Sequence, residues 1–233
     1  MADIRPLVTE LEIITAVTAT ARNTLLKSRQ FPENFLERYF VKFLPNEIIV
    51  NQTLSEEFIL KRKIMFDWKL ISIYQINNLS DTTIEKYAEN LHWPSVIQYR
   101  RLPSSLLHNL ITSYSASGPS ENIVSIKGQT IDMLQVAQYQ VLDMAFIERY
   151  CKELSFDAIA QYQKLSESFI DRHAECLNWN LICQHQKLSE AFMIKMRNYL
   201  DFAQIIKYQE FSNTFIMKFL DRIIRILIAK NNQ

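Results

Sequence analysis

The sequence predicts an all-α protein, built from tandem helix-turn-helix repeats of about 23 residues in a short solenoid-like array with one loop insertion. Three observations carry this reading. The 233 residues include two glycines, where ordinary usage near 7% gives about 16. One sequence pattern recurs along nearly the whole chain. The copies open on helix-capping residues, so their joints need little glycine. Glycine supplies the positive φ of tight turns and phosphate-cradling loops, so its scarcity excludes glycine-rich nucleotide loops, hairpin-dense sandwiches and collagen.

The pattern is plainest in Leu54-Ser55-Glu56-Glu57-Phe58-Ile59, Leu165-Ser166-Glu167-Ser168-Phe169-Ile170 and Leu188-Ser189-Glu190-Ala191-Phe192-Met193. Fourteen residues after each leucine stands an aromatic: Trp68, Trp179 and Phe202. An isoleucine follows three later (Ile71, Ile182, Ile205), and then Tyr74-Gln75, His185-Gln186 and Tyr208-Gln209. Copies start at Phe31, Leu54, Leu79, Leu102, Leu142, Leu165, Leu188 and Phe211, with a faint one at Val8. Their spacings from Phe31 onward are 23, 25, 23, 40, 23, 23 and 23.

Each copy reads as two short helices. Ser55, Ser166 and Ser189 stand as N-caps of the first, each worth about 1 kcal/mol. Leu54 and Ile59 have the spacing of a hydrophobic staple, and Glu56 and Glu57 favour the helix dipole. Asp67, Asp132, Ser155, Asn178 and Asp201 are the caps expected for the second helix, and Pro45 falls at a first helical position. The aromatics Phe58, Trp68, Trp93, Phe169, Trp179, Phe192 and Phe202 read as packing between and within copies. The glutamine after the recurring aromatic either bridges successive copies by hydrogen bonds or faces solvent at a helix end.

Only the copy from Leu102 is interrupted, by about 17 polar residues that include Gly118-Pro119. The expected organisation is therefore a helical array over 1–112, an inserted loop over 113–130, and a second array over 131–233. The second array is expected to end in an amphipathic helix that carries Ile223 to Ala229 and needs a partner.

Charge and chemistry narrow the function. Lys and Arg number 26 against 25 Asp and Glu, and the Arg100-Arg101 doublet is too little for a nucleic-acid footprint. No run of 18 apolar residues predicts a membrane span, and no apolar segment near Met1 reads as a signal peptide. His173, Cys176, Cys183 and His185 lie within 13 residues and offer zinc-type ligands. Yet His173 aligns with Tyr87, Tyr150, Met196 and Phe219, and His185 with Tyr74, Tyr162 and Tyr208, so both read as packing residues. Cys151, Cys176 and Cys183 occupy three different template positions without a nucleophile motif. Buried packing or an interchain disulfide remain their two uses. No catalytic residue, cofactor or resident metal is expected, and an enzyme is disfavoured.

The unit Leu-Ser-Glu-x-Phe-Ile followed by Asp/Asn-Trp-x-x-Ile-x-x-Tyr/His-Gln resembles a short helical repeat of proteins from large DNA viruses, over roughly residues 31–225. Taken with its size and near-neutral charge, the chain resembles more narrowly the nudivirus occlusion-body proteins, the polyhedrins. That resemblance implies a structural protein that crystallises inside infected insect cells and encases virions, with itself and the virion as partners. It also implies a lattice locked by interchain disulfides. Release at alkaline pH would follow as tyrosines gain charge and lysines lose it above pH ~10. The rival expectation is a soluble helical-repeat adaptor that binds a host or viral protein.

Overall fold

The computed structural model describes residues 15, 18–114 and 123–217. The chain divides into two compact units, Met1–Leu102 and Pro103–Gln233, and both are mainly helical.

In the first unit, short helices alternate along the chain: Ala19–Ser28, Glu33–Tyr39, Pro45–Asn51, Glu56–Lys61, Trp68–Leu70, Asp81–Lys86 and Trp93–Tyr99. Local chemistry sets where they start. The Ser55 and Ser80 hydroxyls accept the Phe58 and Thr83 amides, both at 3.2 Å, and satisfy donors that the first turn would leave orphaned. Pro45 occupies the first turn of its helix, where an amide has no helical acceptor. Six of the first helices then stop the same way, while Ser104–Leu110 ends on the extended Ile111. Tyr39, Arg62 and Tyr87 in this unit, and Tyr150, His173 and Met196 in the other, all adopt φ between −91° and −121° with ψ between 16° and 20°. This sparsely populated bridge region ends or kinks the helix without needing glycine.

The helix after Trp68 widens into a π-helical turn over Ile71–Gln75 and tightens into a 3-10 turn over Ile76–Asn78. That second turn absorbs the two extra residues that make this spacing 25. It is held by the buried Ile76 side chain and by the Asn78 amide, which donates to Gln75 Oε1 at 2.8 Å. The second helices pack in sequence, Pro45–Asn51 against the helix from Trp68, and that against Trp93–Tyr99. Leu36, Ile48, Ile49, Ile59, Ile71, Ile84, Val96 and Ile97 are wholly buried. Each contributes on the order of 1.5–3 kcal/mol of apolar transfer.

The second unit begins with the helix Ser104–Leu110, and the expected loop follows it. The structure corrects that expectation: the described part of 113–130 is mostly sheet. Strands β1 (Ile111–Tyr114), β2 (Ile123–Ile126) and β3 (Gln129–Asp132) pair antiparallel in the order β1-β2-β3. Val124 faces Ile131 across the ladder, and Val124 and Ile126 are buried while Ile123 and Ser125 are half-buried. Lys127 and Gly128, with φ of 49° and 77°, make the two-residue turn between β2 and β3. A right-twisted hairpin favours that doubly left-handed turn. A Cβ on Gly128 would meet nothing within 4 Å, so its dihedral angle and not space selects glycine.

The helices Met133–Tyr139, Met144–Leu154, Phe156–Tyr162, Glu167–Arg172, Trp179–His185, Glu190–Lys195 and Phe202–Tyr208 follow. Their second helices again pack in sequence, Met133–Tyr139 to Phe156–Tyr162 to Trp179–His185 to Phe202–Tyr208. Asp132, Asn178 and Asp201 cap these helices through their side chains, as Asp67 does in the first unit. Ser155 departs from its expected role. Its φ is 64° and its hydroxyl accepts no capping amide, because helix Met144–Leu154 runs directly into Phe156–Tyr162 and leaves no extended residue between them. Gly118 and the stretch from Ile223 to Ala229 lie outside the described residues.

Candidate functional site

Five glutamines form the internal seams. Gln186 Oε1 accepts the Leu165 amide at 2.9 Å, and its Nε2 donates to the carbonyls of Ala160 and Gln163, both at 2.7 Å. The same three bonds recur at the same offsets for Gln52, Gln75, Gln163 and Gln209. Each glutamine thus holds an amide 21 residues back and carbonyls 26 and 23 residues back. The last of these carbonyls belongs, in three cases, to the preceding glutamine of the series. A primary amide supplies one acceptor and two donors, which is the set these backbone groups require. Where the pattern has Arg100 instead of glutamine, Nη1 donates to the Asn77 carbonyl at 3.2 Å and Nη2 pairs with Asp81 at 3.0 Å.

Carboxylates make a second set of seams. Glu33, Glu56, Glu167 and Glu190 accept the backbone amide and hydroxyl of Ser55, Ser80, Ser189 and Ser212 respectively. Bonds from the Thr83 and Ser80 hydroxyls hold the Glu56 carboxyl below its usual range. Met144 stands where the acid would face Ser166, so that serine caps Phe169 without a carboxylate partner. A third set is ionic and exposed: Lys61 to Glu37 at 2.9 Å, Lys195 to Asp171 at 2.6 Å, and Arg172 to Glu148. Such pairs contribute about 0–1 kcal/mol. The basic run Lys61-Arg62-Lys63 is engaged here too, with Arg62 on Glu37 and over the Phe58 ring and Lys63 on the Tyr87 hydroxyl.

The residues singled out for packing lie where packing needs them. Phe58, Trp93, Phe169, Phe192 and Phe202 are buried. Trp93 and Trp179 donate their indole N–H to the Ala88 and Ala174 carbonyls at 2.8 Å. The half-buried Trp68 and Trp179 stack on Tyr87 and Tyr199, with ring centroids 5.2 Å apart in both pairs.

The zinc-type residues are not brought together. His173 packs its ring against Phe169 and Phe156, at 4.4 and 5.4 Å between centroids. Cys183 is wholly buried while Cys176 and His185 are exposed, and no group of three metal-ligating side chains occurs among the described residues. Burial pushes the Cys183 thiol up to about 11, with Asp201 adding to it, and also raises Cys151. Burial keeps Cys183 from the surface that an interchain bond requires. Cys176 is the exposed thiol of the three.

Two features went unread in the sequence. The first is an apolar surface at the turns after first helices, where Val41 is 88% and Ile64 92% exposed. They hold equivalent positions, ten residues after Phe31 and Leu54, and Leu44 and Met65 beside them are also exposed. The signal was legible as a recurrent apolar residue just past a helix end, but the pattern alone did not say which side of the turn faced water. The second is a cavity of about 550 Å³ in the second unit, lined by Ser105, His108, Phe146, Arg149 and Tyr150 among others. There His108 Nδ1 lies 2.8 Å from the buried Tyr150 hydroxyl. These two residues are 42 apart in sequence, across the insertion, so no local pattern announces the pair.

No protein family, curated protein sequence or solved structure matches the chain. Among the described residues, no helix is long and apolar enough to cross a membrane.

Proposed function

We propose that the chain is a self-assembling structural protein, the building block of a protein lattice of the occlusion-body kind. The observation that carries this reading is the exposed apolar surface at Val41, Leu44, Ile64 and Met65. Among the described residues, nothing in the first unit's packing requires apolar side chains at those turns, and association with another copy would remove them from water. A formal net charge of +1 leaves little long-range repulsion between copies. The internal seams support the same reading, because amide and carboxylate bonds at constant offsets make each unit a stiff block that can tile. Partners in this reading are other copies of the chain and, in an occlusion body, the enclosed virion.

Sedimentation velocity of the full chain at neutral pH tests it. The expected result is a concentration-dependent distribution of large particles. A monodisperse monomer over the accessible concentration range overturns it and favours the adaptor reading, in which the exposed Tyr74, Tyr99, Tyr162 and Tyr208 would face a different protein.

A further inference from the structure

The second unit carries another row of glutamines beside its seams. Two residues before the seam glutamines Gln140, Gln163 and Gln186 stand Gln138, Gln161 and Gln184. Gln138 and Gln161 are exposed and Gln184 is half-buried, and among the described residues none of these three side chains makes a hydrogen bond. The residue between the two rows is aromatic each time: Tyr139, Tyr162 and His185, continued by Tyr208. Tyr162 and Tyr208 are both 41% exposed, His185 is exposed and Tyr139 half-buried. The helices that carry them pack in sequence, from Met133–Tyr139 to Phe202–Tyr208, so amides and aromatics line up in parallel rows along the helix ends. Lys164 and Lys187 follow the seam glutamines, and Lys207 takes the outer glutamine's place in the last helix. All three are exposed, and Glu210 is the acid that stands among them.

We propose that these rows bind an acidic, proline-rich segment of another protein in the polyproline II conformation. Spacing selects the conformation. Packed helices lie about 8–10 Å apart, and a polyproline II turn of three residues advances about 9 Å. Every third residue of such a segment therefore meets a new helix end. Chemistry selects the residues. The polyproline II backbone has no internal hydrogen bonds and leaves its carbonyls open, and a glutamine Nε2 donates to carbonyls. Aromatic faces receive proline rings, and the three lysines favour carboxylates on the partner. The first unit lacks this arrangement. Val50, Ile73 and Gln98 hold its outer positions, and the 25-residue spacing breaks the period, so Tyr74 and Tyr99 stand there without a row of amides. The apolar turns read as the assembly surface belong to the first unit and these rows to the second, so this inference goes beyond the lattice reading and does not rest on it.

Calorimetric titration of the full chain with a synthetic peptide of four Pro-Pro-Glu triplets tests this. It is expected to bind at least tenfold more tightly than peptides of Pro-Pro-Lys or Gly-Ser-Glu triplets, which reverse the charge or release the conformation. The double variant Gln161→Ala, Tyr162→Ala is expected to weaken the Pro-Pro-Glu peptide at least tenfold, and its thermal transition checks that the fold is intact. Tyr74→Ala, an exposed tyrosine of the first unit, should leave binding unchanged. Equal affinity for the three peptides, no heat with the Pro-Pro-Glu peptide up to about 1 mM, unchanged binding in the double variant, or an equal loss in Tyr74→Ala overturns the proposal. Self-assembly is read separately, by sedimentation.

Discussion

The turn that follows six of the first helices begins on one backbone conformation and carries two surface chemistries. At the first two such turns it exposes Val41 and Ile64; at the later ones the equivalent residues are Glu89 in the first unit and Lys152, Glu175 and Asn198 in the second, all exposed. Because the residue two positions earlier adopts similar φ and ψ at all of these turns, that backbone conformation does not select the side chain. What differs is the fate of the surface. The polar version stays in water, whereas the apolar one gains when another surface covers it. The contrast teaches that the seams specify the block and the turns specify what it meets.

Breaking a seam in the second unit has the largest expected effect on stability. Gln186→Leu leaves the Leu165 amide and the carbonyls of Ala160 and Gln163 without their partner, at a cost of about 3–5 kcal/mol. Arg100→Leu, at the matching place in the first unit, removes a partly exposed contact and costs about 1–2 kcal/mol. Urea unfolding of the two variants compares them directly, and equal losses would remove the distinction between buried amide seams and the arginine joint.

The units should also differ in how pH weakens them. Cys183 in the second unit has a folded pKa near 11, raised from 9.0. Its neutral form therefore favours the fold fully below pH 9, and that contribution is lost as pH rises through 11. The loss is on the order of 2–3 kcal/mol, and Cys183→Ala should flatten thermal stability across that window. Glu56 in the first unit has the opposite sign. Its carboxyl is lowered from 4.5, so its contribution is present above that value and lost as pH falls through the lower folded pKa. Glu56→Gln should remove part of the acid-side loss of stability, and an unchanged acid profile in that variant would contradict the role given to the Ser80 seam.

Caps provide the smallest comparison. Ser189→Ala removes a cap and a carboxylate partner, at about 1–2 kcal/mol, whereas Ser166→Ala removes the cap alone, at about 1 kcal/mol. Placing Glu at Met144 should widen the effect of Ser166→Ala toward that of Ser189→Ala, measured as a shift in urea midpoint.

Much of the helical architecture was legible because its signals are local. A serine three residues before a phenylalanine amide, or an aspartate two before a lysine amide, is a cap that sequence can place. The glutamine position was visible as a recurrence, but choosing between a bridge and a solvated end required its partners 21 to 26 residues back. The insertion was misread because polar composition and two glycines outweighed a short alternation, Ile123 to Ile126, followed by a Lys127-Gly128 turn. Ser155 failed as a cap because the helix before it ended one residue too late to leave an extended linker. The His108 and Tyr150 pair could not be read at all, since it exists only where the helices Ser104–Leu110 and Met144–Leu154 meet, 42 residues apart.

The most direct test of the central claim is sedimentation at neutral pH of the parent chain beside a Val41→Lys, Ile64→Lys double variant and a Lys152→Leu, Glu175→Leu double variant. Both lysine substitutions fall on side chains almost wholly in water, so folding stability should change by no more than about 0.5 kcal/mol. The account predicts that the parent forms large particles, that the first variant sediments as a folded monomer, and that the second still assembles. Particles that persist unchanged in the Val41→Lys, Ile64→Lys protein would contradict it.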